Sequence, residues 1–333
     1  NNNFDVVRVF PPIRVFGTVG FIVAMWLTNL TGNKATAYQF YIAGVAAIAL
    51  GIMAFGLPKC PPQKNIDPHA RWTEQLGLHA FRLFKNYKMA LFFIFSMFLG
   101  AALQLTNAYG DLYLDEFKFF PRFADSVVVK RSTLIMSISQ ISETVFILAI
   151  PFFLNRMGIK KVMLISMLAW VFRFALLGLG DPGTGLWMII VSCIVYGMAF
   201  DFFNISGSLF VETSTAPAIR SSAQGLFMMM SNGFGAIIGS YTSGKMIDAY
   251  FTHAFRDEQS LAAYLLTEPG NPHLRELIAE RGIHIDANGL FDGIIAMKDW
   301  PNIWYAFAAY ALVIAVLFAV MFRHKHEPRS LSL

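Results

Sequence analysis

Residues 132–154 read STLIMSISQISETVFILAIPFFL, and the fold follows from how this stretch is read. It is long enough to cross a bilayer as a helix, which takes about 20 mostly apolar residues. Gln140 and Glu143 nevertheless sit near its centre. A carboxylate at that depth is expensive, about 2.5–3.5 kcal/mol on insertion scales for the comparable Asp. The i,i+3 spacing puts the amide and the carboxylate on one helical face. Two readings are open from these residues alone. The pair is a helix–helix contact satisfied by a neighbouring hydroxyl, or it lines a solute or proton site, the default for an ionisable group inside a membrane.

Composition supports a membrane setting for the whole chain. Hydrophobic residues make up 56% of the 333, charged residues 14%, and the mean hydropathy is +0.53. Soluble domains carry about a quarter charged residues. The fold class is therefore an all-α integral membrane protein. Cys60 and Cys193 lie far apart and match no disulfide or metal framework. The chain opens NNNFDVVRVF, with neither an initiator Met nor a signal peptide, so sequence is expected to precede Asn1.

Eight apolar runs are span candidates, at 12–30, 38–57, 89–110, 132–154, 162–180, 186–209, 221–247 and 302–322. Most connections are short and carry Pro, Gly or charge. Two are longer. Within 58–88, the piece RWTEQLGLHAFRLFKNYK is amphipathic and suits the membrane surface. Residues 248–301 are polar and predict a small external subdomain with a short helix. No barrel-type strand pattern is present.

With eight spans both ends share one side. That side collects fourteen basic residues, Lys59, Arg71, Lys160 and Arg323 among them, against five in the short loops opposite. The bias places both ends in the cytoplasm. It also accounts for the net charge of +5, which gives no support for nucleic-acid binding.

Polar residues inside the spans fall into four sets. In the first span Arg14, Thr18 and Phe21 share a face, although Arg14 is shallow enough to snorkel to the headgroups. In the third, Gln104 and Asn107 at i,i+3 offer donors and acceptors together, for a solute or for interhelical bonds. The fourth span supplies Gln140 and Glu143. The sixth supplies the i,i+4 aromatic pair Tyr196 and Phe200, with Asp201 and Asn204 beside it. Packing rivals ligand contact for the aromatics, and a structural cap rivals proton carriage for Asp201. Arg173 is one further deep cation, for which a carboxylate on a neighbouring helix is the expected partner. Amides, a hydroxyl, aromatic faces and one central carboxylate suit a neutral, hydrogen-bonding solute with a flat ring or a sugar.

All seven histidines lie in loops or the tail, and neither a P-loop, GxSxG nor HExxH motif occurs. ATP-driven transport and the corresponding hydrolases are disfavoured. The chain is not expected to be an enzyme or to carry a metal or cofactor.

The loop NRMGIKK (155–161) resembles the short basic loop of major facilitator superfamily transporters. The segments FPPIRVFGTVGFIVAMW, FFIFSMFLGAALQLTNAYG, IMSISQISETVFILAIPFFL, YGMAFDFFNISGSLFVE and PAIRSSAQGLFMMMSNGFG resemble the nucleoside:proton symporters of that superfamily, the bacterial nucleoside permeases. The resemblance covers nearly all of the chain except 248–301. It implies a twelve-helix bundle of which this chain supplies spans five to twelve. On that reading 1–57 holds the last two helices of the N-terminal bundle and 58–88 the central cytoplasmic loop. Residues 89–322 form the six-helix C-terminal bundle, and 323–333 the cytoplasmic tail.

The resemblance implies a nucleoside site of Arg14, Thr18, Phe21, Gln104, Asn107, Gln140, Glu143, Tyr196 and Phe200. Phe21, Tyr196 and Phe200 would stack the base, with the polar groups on ribose and base edge. Glu143 is the candidate proton carrier and Asp201 the reserve, the proton being the coupling ion. The expected partners are a nucleoside and the inner-membrane bilayer, with the chain acting as a monomer. The alternatives are a sugar:proton symporter of the same superfamily and a transport-incompetent membrane sensor.

Overall fold

A computed structural model describes residues 6–33, 36–57 and 77–323, with side chains in the first helix from Val15 on. Every expected span is helical. α1 is Val6–Leu30, α2 Tyr38–Ala54, α3 Tyr87–Glu116, α4 Ser132–Met157, α5 Ile159–Leu179 and α6 Leu186–Ser214. Several run past the apolar window that marked them. α3, for example, continues through Asp111 and Asp115 to Glu116, because polar residues are tolerated once the helix enters the interface.

The seventh span, α7, departs from the expected single α-helix. It runs as Arg220–Met228, a segment of π pitch at Met229–Gly235, and Ala236–Tyr250. The wider turn lies where α7 crosses α3. A Cβ placed on Gly100 would sit 1.9 Å from the Ser231 carbonyl oxygen, so the two backbones touch directly. Such π turns inside α-helices are rare.

The extramembrane stretch is richer than expected. β1 (Thr252–Asp257), α8 (Glu258–Tyr264), α9 (Pro272–Glu280) and β2 (Leu290–Lys298) precede the last span, α10 (Trp300–Met321). β1 and β2 pair antiparallel, with Thr252 opposite Lys298 and Phe255 opposite Ile295. Glu258 fixes the two short helices: its carboxylate accepts from Arg275 at 2.8 and 2.7 Å and from the Gly270 N–H at 2.9 Å. Phe119, from the α3–α4 connection, is part of this subdomain's core.

Of the amphipathic piece, 71–76 lie outside the described residues; Leu78–Lys85 forms a 3₁₀ helix. The tail from 324 also lies outside them.

The core is aromatic. Phe92 of α3 meets Phe210 and Phe227 at 4.8 and 5.2 Å, which joins α3 to α6 and α7. Trp304 of α10 stacks on Phe174 of α5 at 5.8 Å. The Tyr113 hydroxyl donates to the carbonyls of Leu177 and Gly180 at 3.0 and 2.7 Å, satisfying acceptors that the end of α5 would leave open. α5 packs on α6 and α10, and α4 lies between α6 and α1. α2 buries no side chain among the described residues.

Candidate functional site

The site is built where α4 and α6 cross. Gly197 lies against the α4 backbone so closely that a Cβ would stand 2.6 Å from the Glu143 nitrogen and from the Ser142 carbonyl. The Ser142 hydroxyl donates to the Ile194 carbonyl and fastens the crossing. Glu143, 8% exposed, is thereby set against Tyr196, 4% exposed. The Gln140 side chain lies near the Tyr196 phenol, whose charged neighbours are Glu143, Arg173 and Asp201.

One turn further on, the Phe200 ring runs parallel to that of Tyr196, 5.9 Å away and tilted by 7°. Trp170 of α5 meets Tyr196 edge-on at 5.9 Å. The result is an aromatic strip with an amide and a carboxyl at one end. Aromatic rings, an amide and a carboxyl are the groups that take a flat ring by stacking and a hydroxyl-bearing group by hydrogen bonds.

The other expected residues are placed as follows. Thr18 on α1 is buried, and α1 packs on α4, where Trp26 Nε1 donates to Ser137 Oγ at 2.9 Å. Phe21, on the same helix, is 54% exposed. The Arg14 side chain lies outside the described residues. Gln104 is half-buried and Asn107 exposed on α3. α3 approaches the strip through Leu103 and Gly100, which share a small space with Phe200, Asn204 and Trp170. That space, about 20 Å³, has room for a water and not for a solute. Asp201 is fully buried beside Phe200.

The expected carboxylate partner of Arg173 is corrected. Its Nη1 donates to the Ser192 carbonyl at 2.7 Å and reaches the Ser139 hydroxyl at 3.5 Å, and its guanidinium lies 4.6 Å from the centre of the Tyr196 ring. A carbonyl and an aromatic face satisfy the cation where a carboxylate was expected. Gly197, Ser142 and Trp170 are parts of the site that the sequence reading missed. The signal for Gly197 was its place between the two aromatics, in YGMAF. Among the described residues, no group of three His, Cys, Asp or Glu could hold a metal ion.

Five of these helices are long and apolar enough to cross a membrane, and ionisable and aromatic groups are buried among them, as suits a multi-spanning transporter. The sequence profile of the Nucleoside H+ symporter family matches residues 1–267. The chain is 46% identical over 327 residues to the nucleoside permease NupG of Escherichia coli K12, covering 98% of this chain and 68% of that protein. It is 46% identical over 329 residues to the xanthosine permease of the same organism, at the same coverages. The crystal structure of the nucleoside transporter NupG matches with a TM-score of 0.70 at 46% identity, over 97% of this chain and 69% of that one. A point mutant of that transporter gives a TM-score of 0.74 at 45% identity, over 96% and 69%. The chain belongs to the nucleoside:H+ symporter family.

Proposed function

We infer that this protein takes up nucleosides together with protons by alternating access. The observation that carries the reading is the α4–α6 crossing, which sets the Glu143 carboxyl and the Gln140 amide against Tyr196 inside the membrane. Relatives at 46% identity are named for nucleoside and for xanthosine transport, which supports a nucleoside as the solute. The base stacks on Tyr196 and Phe200, with Phe21 offered from α1. Gln140, Gln104, Asn107, Thr18 and Arg14 provide the hydrogen bonds to ribose and base edge.

Glu143 takes a proton on one side and gives it up on the other as access alternates; Asp201 is the reserve carrier. The basic bias of the loops orients both described ends toward the cytoplasm of the inner membrane. On this reading α1 and α2 belong to the N-terminal half and the six spans from α3 to α10 to the C-terminal half, and the transporter works as a monomer. No step in this cycle makes or breaks a covalent bond of the solute.

Competition binding tests the solute class. Labelled uridine or xanthosine bound to the purified protein should be displaced by unlabelled nucleosides and untouched by free hexoses. Displacement by a hexose would move the assignment to sugar transport.

A further inference from the structure

Arg173 has no place in the site just described, yet it touches it. It lies on α5, behind the aromatic strip, and is 1% exposed. An arginine at that depth is held by its partners or not at all. Its Nη1 is spent on the Ser192 carbonyl of α6, and the Ser192 hydroxyl donates back to the Arg173 carbonyl at 3.2 Å. These two bonds fix the guanidinium relative to α6. Its Nε has no hydrogen-bond partner among the described residues. The orientation that leaves this donor unused is the one that brings the guanidinium 4.6 Å from the centre of the Tyr196 ring.

The Tyr196 ring is therefore gripped by three groups: the guanidinium, the edge of Trp170 and the parallel ring of Phe200. Trp170 and Arg173 are three residues apart on α5, so one face of that helix supplies two of the three. We propose that Arg173 is a positioning residue for the nucleoside: through the cation–π contact it fixes the plane of Tyr196 parallel to Phe200, so that the strip is preformed before the base arrives. This rests on the reading that Tyr196 binds the base.

A ring that is already fixed has no ordering cost to meet on binding. Ordering one side chain at a binding site is worth about two- to twelvefold in affinity. Losing the guanidinium should therefore raise the Kd about tenfold, and the loss should vanish when no ring remains to be held.

The test is a double-mutant cycle on the full-length protein, read as Kd for whichever of uridine and xanthosine the wild type binds. Arg173→Met should raise Kd about tenfold, Tyr196→Leu should raise it as well, and the double variant should bind no worse than Tyr196→Leu alone. Additive effects of the two substitutions would overturn the proposal and leave Arg173 as a strut between α5 and α6. An unchanged Kd in Tyr196→Leu would overturn the site reading itself, a result distinct from additivity. Should Arg173→Met fail to fold, Arg173→Lys serves in its place. Lysine keeps the charge and lacks the planar fork, so its Kd should rise severalfold, and an unchanged Kd would count against the proposal.

Discussion

Gly197 on α6 and Glu143 on α4 meet backbone to backbone: a Cβ on the glycine would stand 2.6 Å from the glutamate nitrogen. The carboxyl owes its place beside Tyr196 to this absence of a side chain. Substituting Gly197 should therefore harm the site as well as the packing. Gly197→Ala forces the helices apart, at about 1–3 kcal/mol for overpacking, and Gly197→Leu should be worse. Thermal melts of the purified protein, combined with nucleoside binding to the fraction that remains folded, check this. Unchanged stability in Gly197→Leu would refute the close crossing.

The crossing of α3 and α7 makes a similar demand far from the carboxyl. A Cβ on Gly100 would collide with the Ser231 carbonyl at 1.9 Å, against backbone that cannot turn aside. Gly100→Ala should lower the melting temperature more than Gly197→Ala does. The comparison of the two melts is the measurement.

Glu116 closes one end of the bundle. Only 3% exposed, it accepts from Trp300 Nε1 at 2.8 Å and from Lys298 Nζ at 3.1 Å, tying α3 to the end of β2 and the start of α10. Glu116→Ala leaves a buried indole N–H and an ammonium without their acceptor, at about 1–3 kcal/mol for an unsatisfied buried donor. Lys298→Met removes one partner and keeps the other, so it should cost less. Unfolding measurements on the two variants give the order.

The extramembrane subdomain should be acid-sensitive through Glu258. The hydrogen-bonded Arg275 holds its carboxyl below the ordinary glutamate range. For an acid whose folded pKa is depressed, the stabilisation is complete above the unfolded value, about 4.3, and is lost as pH falls through the folded one. Hydrogen exchange of the amides in 252–298 should show protection at neutral pH that fades below about pH 4. Glu258→Gln should be less protected at neutral pH and show a smaller further loss on acidification.

Much of this was legible in the sequence, and the limits have physical causes. The spans were visible because hydropathy is local, and Glu143 stood out because a mid-span carboxylate is costly wherever it occurs. The contact of Gly197 with Glu143 was not visible, since it depends on which face of α6 meets α4, and periodicity within one helix does not fix that. Arg173 was expected to find a carboxylate and found the Ser192 carbonyl, a backbone atom that no side-chain pattern reveals. The strands Thr252–Asp257 and Leu290–Lys298 were missed because two helices separate them, so no short turn marks them as a hairpin.

Proton coupling through the Glu143 carboxyl, as proposed, can be read directly in a transport assay. The most direct test follows labelled nucleoside into liposomes that carry the full-length protein, with and without an inward proton gradient, for the wild type and Glu143→Gln. Concentrative uptake is expected in the wild type only with the gradient, and binding without gradient-driven accumulation in Glu143→Gln. Undiminished accumulation in Glu143→Gln, or equal non-concentrative uptake by the wild type with and without the gradient, would contradict it.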